Sequence, residues 1–336
     1  MQVQEQAVAP ALAEQADPNE STRRTRSGSS SRWYRLMLRN RKAAFGLFVI
    51  VSFITIAILA PVISPGDPQN FVDRPHLAPS RAHWFGTTGR GQDVFDQTVW
   101  GARQTLEVGL IVGLTVTLVG IVIGMSAGYF GGRIDDVLSV IMNVFLIIPA
   151  LPLLVVLSAI IRAGSMQFYV FVLTLTGWAW GARVFRSQVL SLREKDYVAA
   201  AKVSGEGNLR IIFSEILPNM TSIVVANLLG ATIYAIGFQA GLEFLGLGNP
   251  NVVSWGTNLY WAANDAALIV GAWWTFVPAG VGIALVAFSF AMMNYAIDEI
   301  TNPRLRSQRE IGSVLKKRSI RVSSTRATPV LRHQSS

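Results

Sequence analysis

The chain has 336 residues, 51% of them apolar and 15% charged, with a formal net charge of +9 and no cysteine. Soluble domains carry roughly 25% charge, so this balance excludes an ordinary soluble globule. The lack of cysteine excludes disulfides, thiolate catalysis and cysteine metal sites, and the three histidines, His76, His83 and His333, are too scattered for a metal cluster.

The basic excess sits at the two ends. Residues 1–42 carry eight Lys/Arg against four acids, and residues 304–336 carry nine against one. Both read as solvated cytoplasmic tails beside anionic lipid. No motif supports a nucleic-acid partner. Residues 1–32 are polar and serine-rich, and are expected to be disordered. They do not resemble a cleaved signal, so the first apolar run is expected to stay as an anchor. Trp33 to Lys42 is basic and partly amphipathic, and is placed at the cytoplasmic interface.

The first span covers 43–63 and ends at Pro61 and the turn Ser64-Pro65-Gly66-Asp67-Pro68. Residues 64–103 read as an exposed loop with short helices. The second span covers 104–129. Its Gly109, Gly113, Gly120, Gly124 and Gly128 share one helix face, a spacing that lets two helices approach closely. The partner helix lies either inside the bundle or on another subunit. The third span, 138–161, carries Pro149 and Pro152 midway, and each removes a backbone donor and predicts a bend. A brief turn at Arg162 to Ser165 leads to the fourth span, 168–184.

A polar insert follows at 186–218. It is too charged to cross a bilayer. Its Ala199-Ala200-Ala201 run favours a helix and Gly205 a stop. The fifth span covers 221–242, and a connection rich in Gly, Asn and Trp runs from Gly246 to Ala267. The sixth span, 272–295, has Pro278 inside it. Trp255, Trp261, Trp273 and Trp274 are expected to form an outer interfacial belt. The prediction is an all-α polytopic bundle of about six transmembrane helices.

Loops on one side hold 24 Lys/Arg and those on the other hold 5, which puts both tails and the 186–218 insert in the cytoplasm. Span centres are nearly free of ionisable groups: Glu107, Glu243 and Asp298 lie near ends, and Asn143, Gln239 and Asn294 are the deeper polar residues. An ion-coupled secondary carrier is expected to place charges at mid-depth, often in repeated halves, and no internal repeat is evident. The chain also lacks a phosphate-binding Gly-x-x-x-x-Gly-Lys-Ser/Thr loop. The driving force is therefore expected from a separate ATPase. An ion-coupled carrier, an intramembrane enzyme and a membrane scaffold remain the rival readings.

The insert reads Asp196-Tyr197-Val198-Ala199-Ala200-Ala201-Lys202-Val203-Ser204-Gly205, followed by Ile216-Leu217-Pro218. This resembles the coupling loop Glu-Tyr-Val-x-Ala-Ala-x-x-x-Gly, then Ile-Leu-Pro, of inner-membrane permeases of ATP-binding-cassette importers, of the DppC/OppC type in the dipeptide/oligopeptide/nickel group. Further blocks across residues 33–306 are similar, among them His83-Trp84-Phe85-Gly86-Thr87, Phe244-Leu245-Gly246-Leu247-Gly248 and Asn302-Pro303-Arg304. The departures are Thr88 and Gln92, where the family has Asp and Arg, and Gln239 and Glu243, where it has Glu and Ser. They are expected on the outer or substrate-facing side.

The resemblance implies a MetI-like, type I importer permease over residues 33–303 of the bacterial cytoplasmic membrane. It implies a second homologous permease, two cytosolic ATPase domains, an extracytoplasmic solute-binding protein and membrane lipid as partners. ATP and Mg belong to the ATPases, and this chain binds no cofactor of its own. Asp196, Tyr197, Ala200, Ala201, Gly205, Ile216, Leu217 and Pro218 carry the implied coupling role. The solute is a peptide, with nickel or another small solute as the alternative.

Overall fold

A computed structural model describes residues 41–161 and 165–301. The two tails, most of the Trp33 to Lys42 segment, Arg162 and the Asn302-Pro303-Arg304 block lie outside the described residues. The side chain of Asp298 is likewise not described.

The described chain is helical: α1 (Arg41–Ile63), α2 (Val94–Phe130), α3 (Gly132–Ile147), α4 (Ala150–Ile160), α5 (Met166–Leu192), α6 (Asp196–Val203), α7 (Asn208–Arg210), α8 (Thr221–Phe244), α9 (Trp255–Asn264) and α10 (Val277–Thr301). A wide turn at Ile211–Ile216 and a tight one at Leu217–Met220 join α7 to α8 without a break. Among the described residues five helices are long and apolar enough to cross a membrane, and six if the bent pair α3 and α4 is one span.

Several boundaries differ from those the sequence predicts. Residues 64–93 contain no helix, and α2 starts ten residues early, at Val94. Asp93 caps it by accepting from the backbone of Phe95 at 2.8 Å and Asp96 at 3.4 Å. With 37 residues, α2 is about 55 Å long, against about 30 Å of hydrocarbon, so it projects beyond the bilayer. Residues 64–93 are also tied down rather than loose. Thr87 Oγ1 donates to Arg74 O, Gln92 donates to Gln69 O, and Trp274 donates to Thr87 O.

The third span is broken, not merely bent. Its halves meet at 88° across Ile148 and Pro149. Pro149 is the cap residue of α4 and Pro152 lies in its first turn, where a missing N–H leaves no ladder bond unmade. Pro278 likewise falls in the first turn of α10, because residues 273–275 form a separate tight turn ahead of it. The fourth span extends to Leu192.

Packing supplies the cohesion that the hydrophobic effect cannot supply between helices in lipid. The glycine stripe of α2 drifts across two neighbours. Gly109 and Gly113 press on Ile236 and Thr232 of α8, and Gly120, Gly124 and Gly128 press on Ala182, Phe185, Arg186 and Val189 of α5. A Cβ on Gly124 would lie 2.3 Å from the carbonyl oxygen of Ala182. All five contacts are thus within the chain.

Trp255 departs from the expected interfacial belt. It is fully buried, packs edge-on against Phe53 at 5.5 Å, and donates through Nε1 to Thr98 O at 3.0 Å. Its ring lies so close to Gly282 that a Cβ there would come within 2.9 Å. It pins α1, α2, α9 and α10 together. Trp261 and Trp274 are half-buried and hydrogen-bonded to backbone, and Trp273 alone of the four is largely exposed.

Candidate coupling surface

The polar insert folds onto the ends of α2 and α5. Val198, Ile211, Ile212, Ile216 and Met220 bury against Met125, Tyr129, Phe185 and Val189. Tyr129 donates to Asn208 Oδ1 at 3.0 Å, and the Lys202 ammonium lies 5.5 Å from the Tyr129 ring. This fixes α6 as a platform with one face on the bundle and the other free.

The start of α6 has no side-chain cap, since Lys195 occupies that position. Asp196, in the first turn, places a negative charge where the helix dipole favours one. The end is a Schellman turn: Gly205 N–H donates to Lys202 O at 3.1 Å and Glu206 N–H to Ala201 O at 3.1 Å. Gly205 has a φ of +78°, which glycine adopts at little cost.

The residues named from the sequence divide between the two faces. Asp196, Ala200, Gly205 and Pro218 are exposed. Tyr197, Ala201 and Leu217 lie half-buried against the platform's own core, and Ile216 is fully buried. Tyr197 and Ala201 therefore set the platform in place, while Ala200 faces outward. Pro218 has no N–H to continue the ladder. The chain passes through wide and then tight turns there, and the amide of Asn219 bonds Glu215 O at 2.6 Å.

Three outward apolar residues were not singled out from the sequence. Val203 is 90% exposed, Leu209 68% and Phe213 56%. They come from α6, α7 and the wide turn, so no single helical period links them. Together they form an exposed apolar patch on the insert.

At the far end of α8 the departures Gln239 and Glu243 form a closed knot. Both are buried: Gln239 is 0% and Glu243 2% exposed. Gln239 Nε2 donates to Glu243 Oε1 at 3.1 Å, and Ser254 Oγ donates to Glu243 Oε2. Ser254 also caps α9, in a reciprocal box with Thr257. Gly256 leaves room for the carboxylate, since a Cβ there would lie 2.3 Å from Glu243 Oε2. Thr88 and Gln92 bond within the 64–93 loop, where the Thr88 hydroxyl accepts from Gln92 N at 3.1 Å. In the same loop His83 bonds Asp93 at 2.7 Å, with Asp73 at 3.6 Å on its other nitrogen. The hydrogen bond to Asp93 raises the imidazole above its usual 6.5; burial opposes this, and the charges of Asp93 and Asp73 add to it.

A cleft of about 830 Å³ opens between α2, α3 and α5. Ile111, Val119, Phe145 and Trp178 line it, with Thr115 and Thr174 bonded to each other at 2.7 Å. It offers a polar solute few partners.

Comparison with known proteins adds to this geometry. A family model described as "Binding-protein-dependent transport system inner membrane component" matches residues 120–306. A second, "N-terminal TM domain of oligopeptide transport permease C", matches residues 31–79. The chain is 34% identical over 278 residues to the dipeptide transport system permease protein DppC of Bacillus subtilis, covering 82% of this chain and 85% of the relative. It is 33% identical over 307 residues to the oligopeptide transport system permease protein OppC of the same organism, covering 88% and 96%. Among solved structures, the inward-facing MetNI methionine ABC transporter aligns with a TM-score of 0.46 at 20% identity, over 59% of this chain and 95% of that one.

Proposed function

Taking as premise that the chain belongs to the family of binding-protein-dependent transport system inner membrane components, we propose that it is the permease subunit of an ATP-driven peptide importer. The curated relatives are named as dipeptide and oligopeptide permeases, which supports peptide as the solute class. The observation that carries the coupling role is the platform at 196–220. It is fixed to the bundle by a buried face and offers Ala200, Val203, Leu209 and Phe213 outward.

In this reading the platform and both tails face the cytoplasm, and a cytosolic ATPase seats on α6. A second, homologous permease completes the path, a second ATPase domain serves it, and an extracytoplasmic binding protein delivers the peptide. ATP and Mg sit on the ATPases, and this chain holds no cofactor. The span interiors support an external motor, since a chain with very few charged groups at mid-span has little with which to harness an ion gradient. Closure of the ATPases shifts a two-state equilibrium because nucleotide binds the two states with different affinity.

The test is co-purification from detergent with the neighbouring ATPases and permease. The parent complex is expected to retain both, and the chain alone to hydrolyse no ATP. Val203→Asp with Phe213→Asp is expected to strip the ATPase and keep the second permease. Retention of the ATPase by that variant, or hydrolysis by the isolated chain, rejects the proposal.

A further inference from the structure

The end of α5 that leads into the platform is also tied sideways. Arg186 forks onto Asp135 in the first turn of α3: Nη2 lies 2.7 Å from Oδ2, and Nε bonds Oδ1. Ser139, one turn further along α3, donates to Asp135 Oδ1 at 3.1 Å. Arg193, two turns beyond Arg186, donates to Gly128 O at 3.0 Å. The fork is half-sheltered, with Asp135 15% and Arg186 30% exposed.

Beyond the fork α3 is held on one side only, where Leu138, Phe145 and Leu146 pack against α2 and α5 and the Phe145 and Trp178 rings meet edge-on at 5.3 Å. Met142 is its one buried residue, while Val137, Val140, Val144 and Ile147 are exposed. Both of its ends are turns in the chain. At the α2–α3 turn Gly131 and Gly132 have φ of +67° and +52°. At the other end the chain breaks through 88° into α4. By contrast, the C-terminal parts of α2 and α5 are locked by glycine packing and carry the buried face of α6. A helix jointed at both ends follows whichever body grips it. A bidentate arginine–carboxylate pair grips orientation as well as distance.

We propose that the Asp135–Arg186 fork is the link by which movement of the α6 platform is passed to the broken third span. Both are positioning residues, touching neither nucleotide nor solute. The proposal rests on the ATPase-coupled reading above. In it α3 moves with α5 and α6 as one body, and the break at Pro149 takes up the difference between that body and α4.

The chain has no cysteine, so an introduced pair is unique within it, and the partner subunits are used in cysteine-free form. Spin labels at Val140 on α3 and Ser187 on α5, both exposed, report the link directly. They are measured in the full complex, nucleotide-free and trapped with ATP and vanadate. The expected distance is the same in both states. Arg186→Gln is expected to make it differ between states and to lower solute uptake per ATP hydrolysed by about threefold to thirtyfold, the range for residues along a coupling route. The uptake probe is a mixture of labelled di- and tripeptides. The exchange Asp135→Arg with Arg186→Asp is expected to restore the single distance. Arg186→Lys, which keeps the charge and loses the fork, is expected to fall between.

An Arg186→Gln complex that retains its ATPases and shows the parent distance in both states overturns the proposal. So does a parent distance that itself changes with nucleotide. Failure of the parent chain to retain any ATPase is a different result, which removes the functional reading and this link with it.

Discussion

Gly205 allows the platform's geometry to be tested through backbone energy alone. It closes α6 at a φ of +78°, and nothing stands within 4 Å of where a Cβ would be. A side chain there meets no steric clash, so a substitution acts through the left-handed backbone angle and through what it presents to the partner. For an ordinary L-residue that angle costs about 1–2 kcal/mol, which is about fivefold to thirtyfold in the population of the capped end. Asparagine tolerates the angle, and a β-branched residue tolerates it least. Gly205→Asn is therefore expected to hold the ATPase nearly as the parent does, and Gly205→Val to hold it at least several-fold more weakly. Gly205→Asp shares asparagine's tolerance, so any loss beyond that of Gly205→Asn is due to its charge on the docking face. The assay is ATPase retention by the solubilised permease across a dilution series, with membrane levels of the permease matched. Equal behaviour of the Asn and Val variants refutes the argument: if both are harmless the cap is irrelevant, and if both are disruptive side-chain volume decides.

The α2 glycines give a second contrast. Gly124→Ala forces a methyl group onto the Ala182 carbonyl and is expected to cost about 1–3 kcal/mol as overpacking, read as a lower melting temperature in detergent. Gly230→Ala in α8 has open space and is expected to leave the isolated chain unchanged or slightly more stable, by about 0.5–1 kcal/mol from helix propensity. In the 64–93 loop the raised pKa of His83 sets a sign. Protonated His83 contributes stability that is complete below the usual 6.5 and is lost as pH rises through the folded-state value. The loop is expected to become more accessible to protease as pH rises from 6.5 through the higher folded-state value, a pH dependence that His83→Gln flattens; an unaltered pH profile in that variant counts against the pair. In the α8 knot, Glu243→Ser leaves the buried Gln239 amide without its acceptor and takes from Ser254 its carboxylate partner, at about 1–3 kcal/mol for each group left unsatisfied. Adding Gln239→Glu is expected to restore the melting temperature, and no recovery in the double variant rejects the pairing.

The spans were legible because crossing a bilayer demands a long apolar run, and that demand is local. The start of α2 was missed because residues 94–103 mix polar and apolar side chains, although Asp93 with Asp96 behind it is a readable helix start. Pro149 announced a disturbance. An 88° break additionally depends on what α4 packs against, which includes Leu154 against α5 and α8, and no local pattern states that. Trp255 is expected at the interface because it lies in a connection between spans that is rich in Gly, Asn and Trp. Its burial comes from Phe53 and Gly282, which are more than 200 and 25 residues away respectively. The motif marks the segment that folds as α6 but not its faces, because alternation of inward Tyr197, Val198 and Ala201 with outward Ala200 and Val203 needs the core beneath it.

The exchange at 239 and 243 shows how spacing can carry what identity conceals. Read singly, each position departs from the pattern that the resemblance supplies, and two departures on one span suggest a changed substrate path. Residues four apart on a helix face the same neighbour, so a carboxyl moved from one to the other stays within reach of the same partners. Here it reaches Ser254, the cap of α9, and the amide of Gln239 fills the vacated position. In this chain the two positions therefore act as one unit, tying α9 to α8. What distinguishes this chain's solute must then be sought on exposed surfaces rather than in this knot.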